Sequence, residues 1–185
     1  SAASPSPALN GIDSIWQQQA NQPDLAWRDP TSHARVVDVT AGFATAGLPY
    51  FHQNVFTATG DLMLFTGRRD QDEGYYTLNL RTGEIRHLSS QTGKNLIILP
   101  HRREAAFRSG DDVFLLNLDS GQIRTLVTVP HGLLEEAAGF GFTADESKLL
   151  FAYCDELAAT RTRVVAATPQ KDIHIRRVDY IAEYE

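Results

Sequence analysis

Residues 75–88, YYTLNLRTGEIRHL, return at residues 113–126 as VFLLNLDSGQIRTL, an offset of 38 residues. The two copies share L-N-L-x-[T/S]-G-x-I-R-x-L. In the first, Tyr75, Thr77 and Asn79 alternate with Tyr76, Leu78 and Leu80. Arg81-Thr82-Gly83 then breaks the run, and Ile85 and Leu88 resume it. Period-two patterning on both sides of a glycine-bearing turn predicts a β-hairpin. A strand-built repeat of this length points to propeller blades.

The preceding residues complete the blade. Residues 51–57 read as a strand, Ala58-Thr59-Gly60-Asp61 as a turn and residues 62–67 as a second strand. Residues 68–74, RRDQDEG, read as a polar loop before the repeated hairpin. Four antiparallel strands in about forty residues are the content of one blade. The second copy runs from Asn95 through NLIIL, the turn PHR, EAAFR, a short SGDD link, VFLLNL and QIRTLVT. A third begins at Gly139, where residues 142–151, FTADESKLLF, restate residues 56–65, FTATGDLMLF, 86 residues later. No further L-N-L-x-x-G follows, and residues 171–185 alternate only weakly.

Upstream, residues 12–20 predict a short helix with Asp13 or Ser14 as N-cap. The segment from Trp27 to Ser32 reads as turn, residues 35–40 as a strand of β-branched residues, and residues 42–49 as a loop. The expected organisation is a partly disordered lead-in over residues 1–26 and an all-β partial propeller over residues 27–185. Its blades cover about 50–90, 95–129 and, incompletely, 138–185. About two and a half blades cannot close a ring, since propellers use about four to eight. The remaining blades, supplied by a longer chain or by self-association, are the implied partners. A smaller twisted sheet with repeated hairpins is the alternative fold.

Composition narrows the function classes. The chain has 185 residues, 42% of them apolar and 22% charged, which is ordinary for a packed domain. The formal charge of −6 argues against a general nucleic-acid binder. Cys154 is the one cysteine, so neither an intrachain disulfide nor a cysteine-based zinc site can form. No apolar run is long enough to span a membrane. The opening SAASPSPA suits either the residues after a processed signal, hence a periplasmic or secreted setting, or a flexible tail of any origin.

Three stretches carry a family resemblance. They are DPTSHARVVDVT, PYFHQNVFTATGDLMLFTGRRD and YYTLNLRTGEIRHLS, and together with the second copy they cover most of residues 27–154. In this order they resemble the first blades of the oligogalacturonate lyases, seven-bladed TolB-like β-propellers of bacterial pectin breakdown. The hairpin motifs alone recur across TolB-like propellers, including non-enzymes. The resemblance implies β-elimination on short uronic-acid oligosaccharides and a manganese cofactor. The family's histidine ligands are expected in later blades, and no His-x-His cluster or other metal ligand set is identifiable in this sequence. A non-catalytic binding or scaffolding propeller is the alternative function.

Blade geometry sorts the candidate residues. The turns within the first and second hairpins of each blade should share one rim. The second-to-third strand loops and the blade links should share the other, where ligands bind. That second rim gathers His52, Gln53, Arg68, Arg69, His131, Glu135 and Glu136, and leaves His87 and His101 elsewhere. A uronate lyase must neutralise the substrate carboxylate, remove the C5 proton and assist departure of the O4 group. Arginine forks suit the first task, which makes Arg68 and Arg69 candidate carboxylate binders. His52 is the candidate acid/base, with Gln53 and His131 as further substrate contacts. Each has a plain structural reading beside it. Arg68 and Arg69 sit next to Asp70, Asp72 and Glu73 as a self-paired loop would. His52 fits a hydrogen-bonded structural histidine, and His131 a turn after Pro130. Of Tyr75 and Tyr76, one should face the core and the other a packing or sugar-stacking surface.

Overall fold

The computed structural model describes residues 11–49, 53–128, 140–152 and 178–183. These form one helix, α1 (Gly11–Gln19), and thirteen strands, all paired antiparallel. Two units are distinguished, residues 1–92 and residues 93–185.

In the first unit, β1 (Ala26–Arg28) and β2 (Arg35–Val37) make a two-stranded ribbon. The four-stranded sheet beside it runs β3 (Thr45–Gly47), β4 (Leu62–Arg69), β5 (Asp72–Asn79), β6 (Ile85–Ser89) in space as in sequence. In the second unit, β7 (Lys94–Leu99), β8 (Glu104–Ser109), β9 (Asp112–Asn117) and β10 (Ile123–Thr128) form the next such sheet. A three-stranded sheet of β11 (Phe140–Phe142), β12 (Lys148–Ala152) and β13 (Val178–Glu183) follows. Sequential four-stranded antiparallel meanders are propeller blades. The third blade gains a strand that the weak alternation of residues 171–185 did not locate. β13 pairs with β12 from Lys148↔Glu183 to Ala152↔Val178.

The repeated motif is a hydrogen-bond program. Asn79 Oδ1 accepts from the N–H groups of Arg81 and Thr82 at 2.9 and 3.1 Å. Asn117 Oδ1 accepts from Asp119 and Ser120 at 3.0 and 2.8 Å. Thr82 and Ser120 then accept, through their hydroxyls, the N–H of the residue after the glycine, each at 3.2 Å. Gly83 and Gly121 both take φ 77°, a left-handed conformation that costs glycine nothing. The N–H of each glycine returns to its asparagine carbonyl, at 2.7 and 2.8 Å. The asparagine, hydroxyl and glycine positions that recur each have a turn bond to make. The inner turns are copied in the same way. Thr57 and Thr143 accept from the N–H of Leu62 and Lys148 at 3.2 and 3.1 Å, and their own hydroxyls bond Asp61 and Asp145.

Four expectations are corrected. Residues 42–49 are not all loop, because β3 forms there and pairs with the far half of β4 from Thr45↔Arg68 to Gly47↔Thr66. The first-strand position of this blade is therefore split. Its other piece is residues 55–57, bonded to the near half of β4 through Leu64 N–H to Val55 O and the Phe56↔Met63 bridge. Residues 50–52 lie outside the described residues. Trp27 and Arg28, expected to open a turn, belong to β1, which pairs with β2 from Ala26↔Val37 to Arg28↔Arg35, while the turn expected there follows over residues 29–32, where Asp29 Oδ1 accepts from the N–H groups of Thr31 and Ser32. α1 starts at Gly11, so Asp13 lies inside its first turn and bonds Arg35 instead of capping. Finally, Tyr75 and Tyr76 are both buried, at 1% and 3% exposure. The sheet is covered on both faces, so alternation along β5 does not separate core from surface.

Each unit has its own core. Phe65, Tyr76 and Leu78 form the first, with Ile12, Ile15, Val39, Phe43, Met63, Leu80 and Ile85 against it. Leu99, Ala106, Val113 and Leu115 of the second blade meet Phe140 and Leu149 of the third. Fully burying one such side chain contributes about 1.5–3 kcal/mol.

Candidate functional site

The two ends of each blade differ as blade geometry requires. At one end the inner and outer turns meet, through Leu80 N–H to Asp61 O at 2.7 Å in the first blade and Leu118 N–H to Arg103 O at 3.0 Å in the second. Arg103 and Asp119 reinforce the second contact with two bonds of 2.8 and 2.7 Å. His101 is exposed at this end of the second blade. The opposite ends carry the β4–β5 and β8–β9 turns, at residues 70–71 and 110–111.

These opposite ends are unequal. β4 and β5 have eight residues each, while β8 and β9 have six. The extra pairs are Arg68↔Glu73 and Arg69↔Asp72, which carry the first hairpin about 7 Å further at 3.4 Å per residue. The stretch expected to be a polar loop is thus a ladder of opposite charges closed by a two-residue turn, with Asp70 at φ 55°. The sequence looked loop-like because a hairpin tip exposed on both faces has no apolar alternation to display.

Successive side chains of a strand point to opposite faces, and this separates the two arginines. Arg69 shares the face of Phe65 and Gly67, and its guanidinium lies 5.7 Å from the centroid of the Phe43 ring. Phe43 in turn stands edge-on to Phe65 at 5.5 Å and to Tyr76 at 4.9 Å. Arg68 points to the other side, exposed, with no hydrogen-bond or ion-pair partner for its guanidinium among the described residues. The pair therefore shares a rim but does not form one fork. Gln53 is half-buried, in a bend four residues before Thr57. His52, His131, Glu135 and Glu136 lie outside the described residues.

Beneath the charged tip sits a group that sequence reasoning did not assemble. The Tyr76 hydroxyl donates to Asp72 O at 2.7 Å, tying the hairpin end to the core. Burial, then the nearby Asp72 carboxylate, push the Tyr76 phenol above its ordinary value of 10.0. The His87 ring lies 4.9 Å from Tyr76, and its Nε2 is buried without a hydrogen-bond partner among the described residues. Phe43 was hidden in the AGFATAG stretch, whose small residues gave no strand signal. Among the described residues no three His, Cys, Asp or Glu side chains come together as a metal site.

The fold and this rim define the chain as a run of β-propeller blades with a charged hairpin projecting from one end. Its sequence is similar to the oligogalacturonate lyase of Dickeya dadantii (strain 3937), 30% identical over 110 residues, which is 60% of this chain and 26% of that protein. Its fold matches a solved oligogalacturonate lyase in complex with manganese at a TM-score of 0.60 and 22% identity, over 72% of this chain and 36% of the other. It also matches the oligogalacturonate lyase from Vibrio parahaemolyticus at 0.54 and 20%, over 78% and 41%. The chain thus spans between 26% and 41% of the length of these relatives. No protein-family model matches it.

Proposed function

We propose that this chain supplies the first blades of an enzyme that cleaves short oligogalacturonides by β-elimination. The observation that carries the reading is the 30% identity over 110 residues to a protein named as an oligogalacturonate lyase. The projecting hairpin supports it, since it holds an exposed guanidinium, Arg68, on the rim where a propeller takes its ligand.

In this reading Arg68 pairs with the uronate carboxylate and draws charge from it, so that the C5 proton becomes acidic. A base takes that proton, the electron pair of the C5–H bond becomes the C4=C5 double bond, and the C4–O bond breaks. The departing oxygen then receives a proton. His52 is the proposed acid/base, and Gln53 and His131 are proposed contacts to sugar hydroxyls. Arg69, held over Phe43, positions the hairpin rather than touching substrate. Manganese belongs to the solved relative. The described residues do not assemble a site for it, so no step is assigned to the metal here.

The test joins this chain to a complete ring of blades and supplies trigalacturonate with manganese. The expected result is ultraviolet absorbance from the 4,5-unsaturated product. Neither absorbance nor calorimetric binding of any uronate oligomer would overturn the reading in favour of a non-catalytic propeller.

A further inference from the structure

The ribbon β1–β2 closes with the same turn as the two repeated hairpins, although its sequence, RDPTSHAR, lacks the L-N-L-x-[T/S]-G motif. Asp29 stands where Asn79 and Asn117 stand. Its Oδ1 accepts from the N–H groups two and three residues on, those of Thr31 and Ser32, at 3.1 and 2.6 Å. The Ser32 hydroxyl accepts the N–H of Ala34 at 3.3 Å, as Thr82 and Ser120 do for Glu84 and Gln122. His33 takes the glycine position at φ 59°, and its N–H returns to Asp29 O at 2.9 Å. Histidine is one of the side chains that tolerate this conformation best. Asp29 N–H reaches Ala34 O at 2.9 Å, matching Asn79 to Glu84 and Asn117 to Gln122 at 2.8 Å each.

The strand register agrees as well. Ala26↔Val37, Trp27↔Val36 and Arg28↔Arg35 correspond, at an offset of 50 residues, to Tyr76↔His87, Thr77↔Arg86 and Leu78↔Ile85. The ribbon is therefore a third outer hairpin, with β1 in the place of β5 and β9. In both complete blades that strand is flanked on its other side by an inner strand, β4 or β8. β1 has no such neighbour among the described residues, and α1 rather than an inner hairpin precedes it.

The open edge has the right groups in the right places. The bonds of Asp29 N–H to Ala34 O and of Asp38 N–H to Leu25 O direct residues 25, 27 and 29 toward β2. By the antiparallel alternation the N–H and C=O of Arg28 then face the open edge. The equivalent residue in the first blade, Leu78, is registered with Met63 of β4. Trp27 occupies the position of Thr77 and Leu115, which complete blades bury to 3% and 1%, yet it is 44% exposed. A two-stranded ribbon with an unpaired edge is a template for a further strand.

We propose that the β1 edge docks the inner two strands of a further propeller blade, which pair antiparallel with β1 as β4 pairs with β5. The ribbon is then the outer half of a blade whose inner half comes from elsewhere in the propeller. The solved and curated relatives have chain enough to supply it, since this chain spans 26% to 41% of their length. The proposal stands apart from the uronate chemistry, and none of its readouts involves a sugar.

The experiment measures amide exchange in this chain and in a chimera that carries residues 1–185 in place of the corresponding blades of the Dickeya dadantii lyase. In the chain alone the Arg28 amide should exchange within about tenfold of an unstructured peptide, while the Trp27 amide, bonded to β2, is slower. In the chimera the Arg28 amide should slow by about a hundredfold or more. Arg28→Pro removes the outward N–H, and Arg28→Ala controls for the lost side chain. The two variants should have the same thermal midpoint in the chain alone, and Arg28→Pro the lower one in the chimera. If the chimera does not fold, a synthetic peptide copying residues 55–69, the segment that includes β4, is the probe, and it should protect the Arg28 amide in the chain. An Arg28 amide already protected in the chain alone, or no added protection with the chimera or the peptide, would overturn the proposal.

Discussion

Glu146 grips Arg102. Its Oε2 accepts the backbone N–H of Arg102 at 3.1 Å while Oε1 accepts that of His101 at 3.2 Å, so one carboxylate from the third blade's inner turn holds the second blade's inner turn. Glu146 is only 6% exposed and takes φ 58°, at the position where the first blade has Gly60 at φ 63°. A non-glycine residue in that conformation is strained by about 1–2 kcal/mol. The two bonds to a charged acceptor offset the strain, each contributing about 1.5–3 kcal/mol. Glu146→Ala should lower unfolding stability by about 3 kcal/mol or more, since it loses both bonds and keeps the strain. Glu146→Gly should cost about 1 kcal/mol less, because it removes the strain with the bonds. Urea midpoints of the two variants check the ordering.

Tyr76 makes the protein sensitive to alkali. Its folded phenol ionises above the ordinary 10.0, chiefly because it is buried. A raised folded value means the contribution is complete below pH 10 and is lost as pH rises through the folded value. Tyr76→Phe should flatten the alkaline limb of stability. At neutral pH it should cost about 1 kcal/mol for the lost bond to Asp72 O. Denaturation at graded pH, with tyrosinate absorbance followed in parallel, separates the two effects.

Asp145 acts at the acid end. Hydrogen bonds from Thr143, then from Ser147, lower its carboxyl from 3.8 to about 2. The contribution is therefore present above pH 3.8 and lost as pH falls through about 2. Asp145→Asn should remove this part of the acid dependence by lowering the midpoint at pH 5 and above, where the parent's contribution is complete, so that parent and variant converge toward pH 2. Thermal scans from pH 5 to pH 2 measure it.

Arg68 and Arg69 should respond differently to substitution. Arg69→Ala loses its stacking on Phe43, about 0.5–1 kcal/mol at an exposed site, and should lower stability without altering uronate binding. Arg68→Ala should leave stability within about 0.5 kcal/mol, as surface changes do, and weaken binding of a galacturonate oligomer about tenfold or more. Calorimetric titration of both variants, with urea unfolding of each, shows whether the functions divide as the strand faces do.

Much of the blade was legible because its signals are local. Asn79, Thr82 and Gly83 bond within their own turn, so the motif L-N-L-x-[T/S]-G reports the hairpin wherever it occurs. The likeness of residues 142–151 to residues 56–65 reported the inner hairpin for the same reason. The site was less legible. Arg68 and Arg69 looked like one basic pair because neighbours in sequence are indistinguishable until the strand that carries them is known. Phe43, which fixes Arg69, lies 26 positions away in a stretch without strand character.

The sequence by itself determined the hairpins, their repeat and the turn chemistry, since these depend on hydrogen bonds between residues a few positions apart. Only the tertiary structure decided that β3 and residues 55–57 share the flank of β4, and that β13 completes three strands of the third blade. It likewise decided that RRDQDEG is a projecting ladder with its arginines on opposite faces, because pairing partners rather than composition make a polar segment a strand. The docking of α1 and the grip of Glu146 on Arg102 belong to the same class. Both join segments tens of residues apart, and no local pattern encodes which distant backbone a side chain will meet.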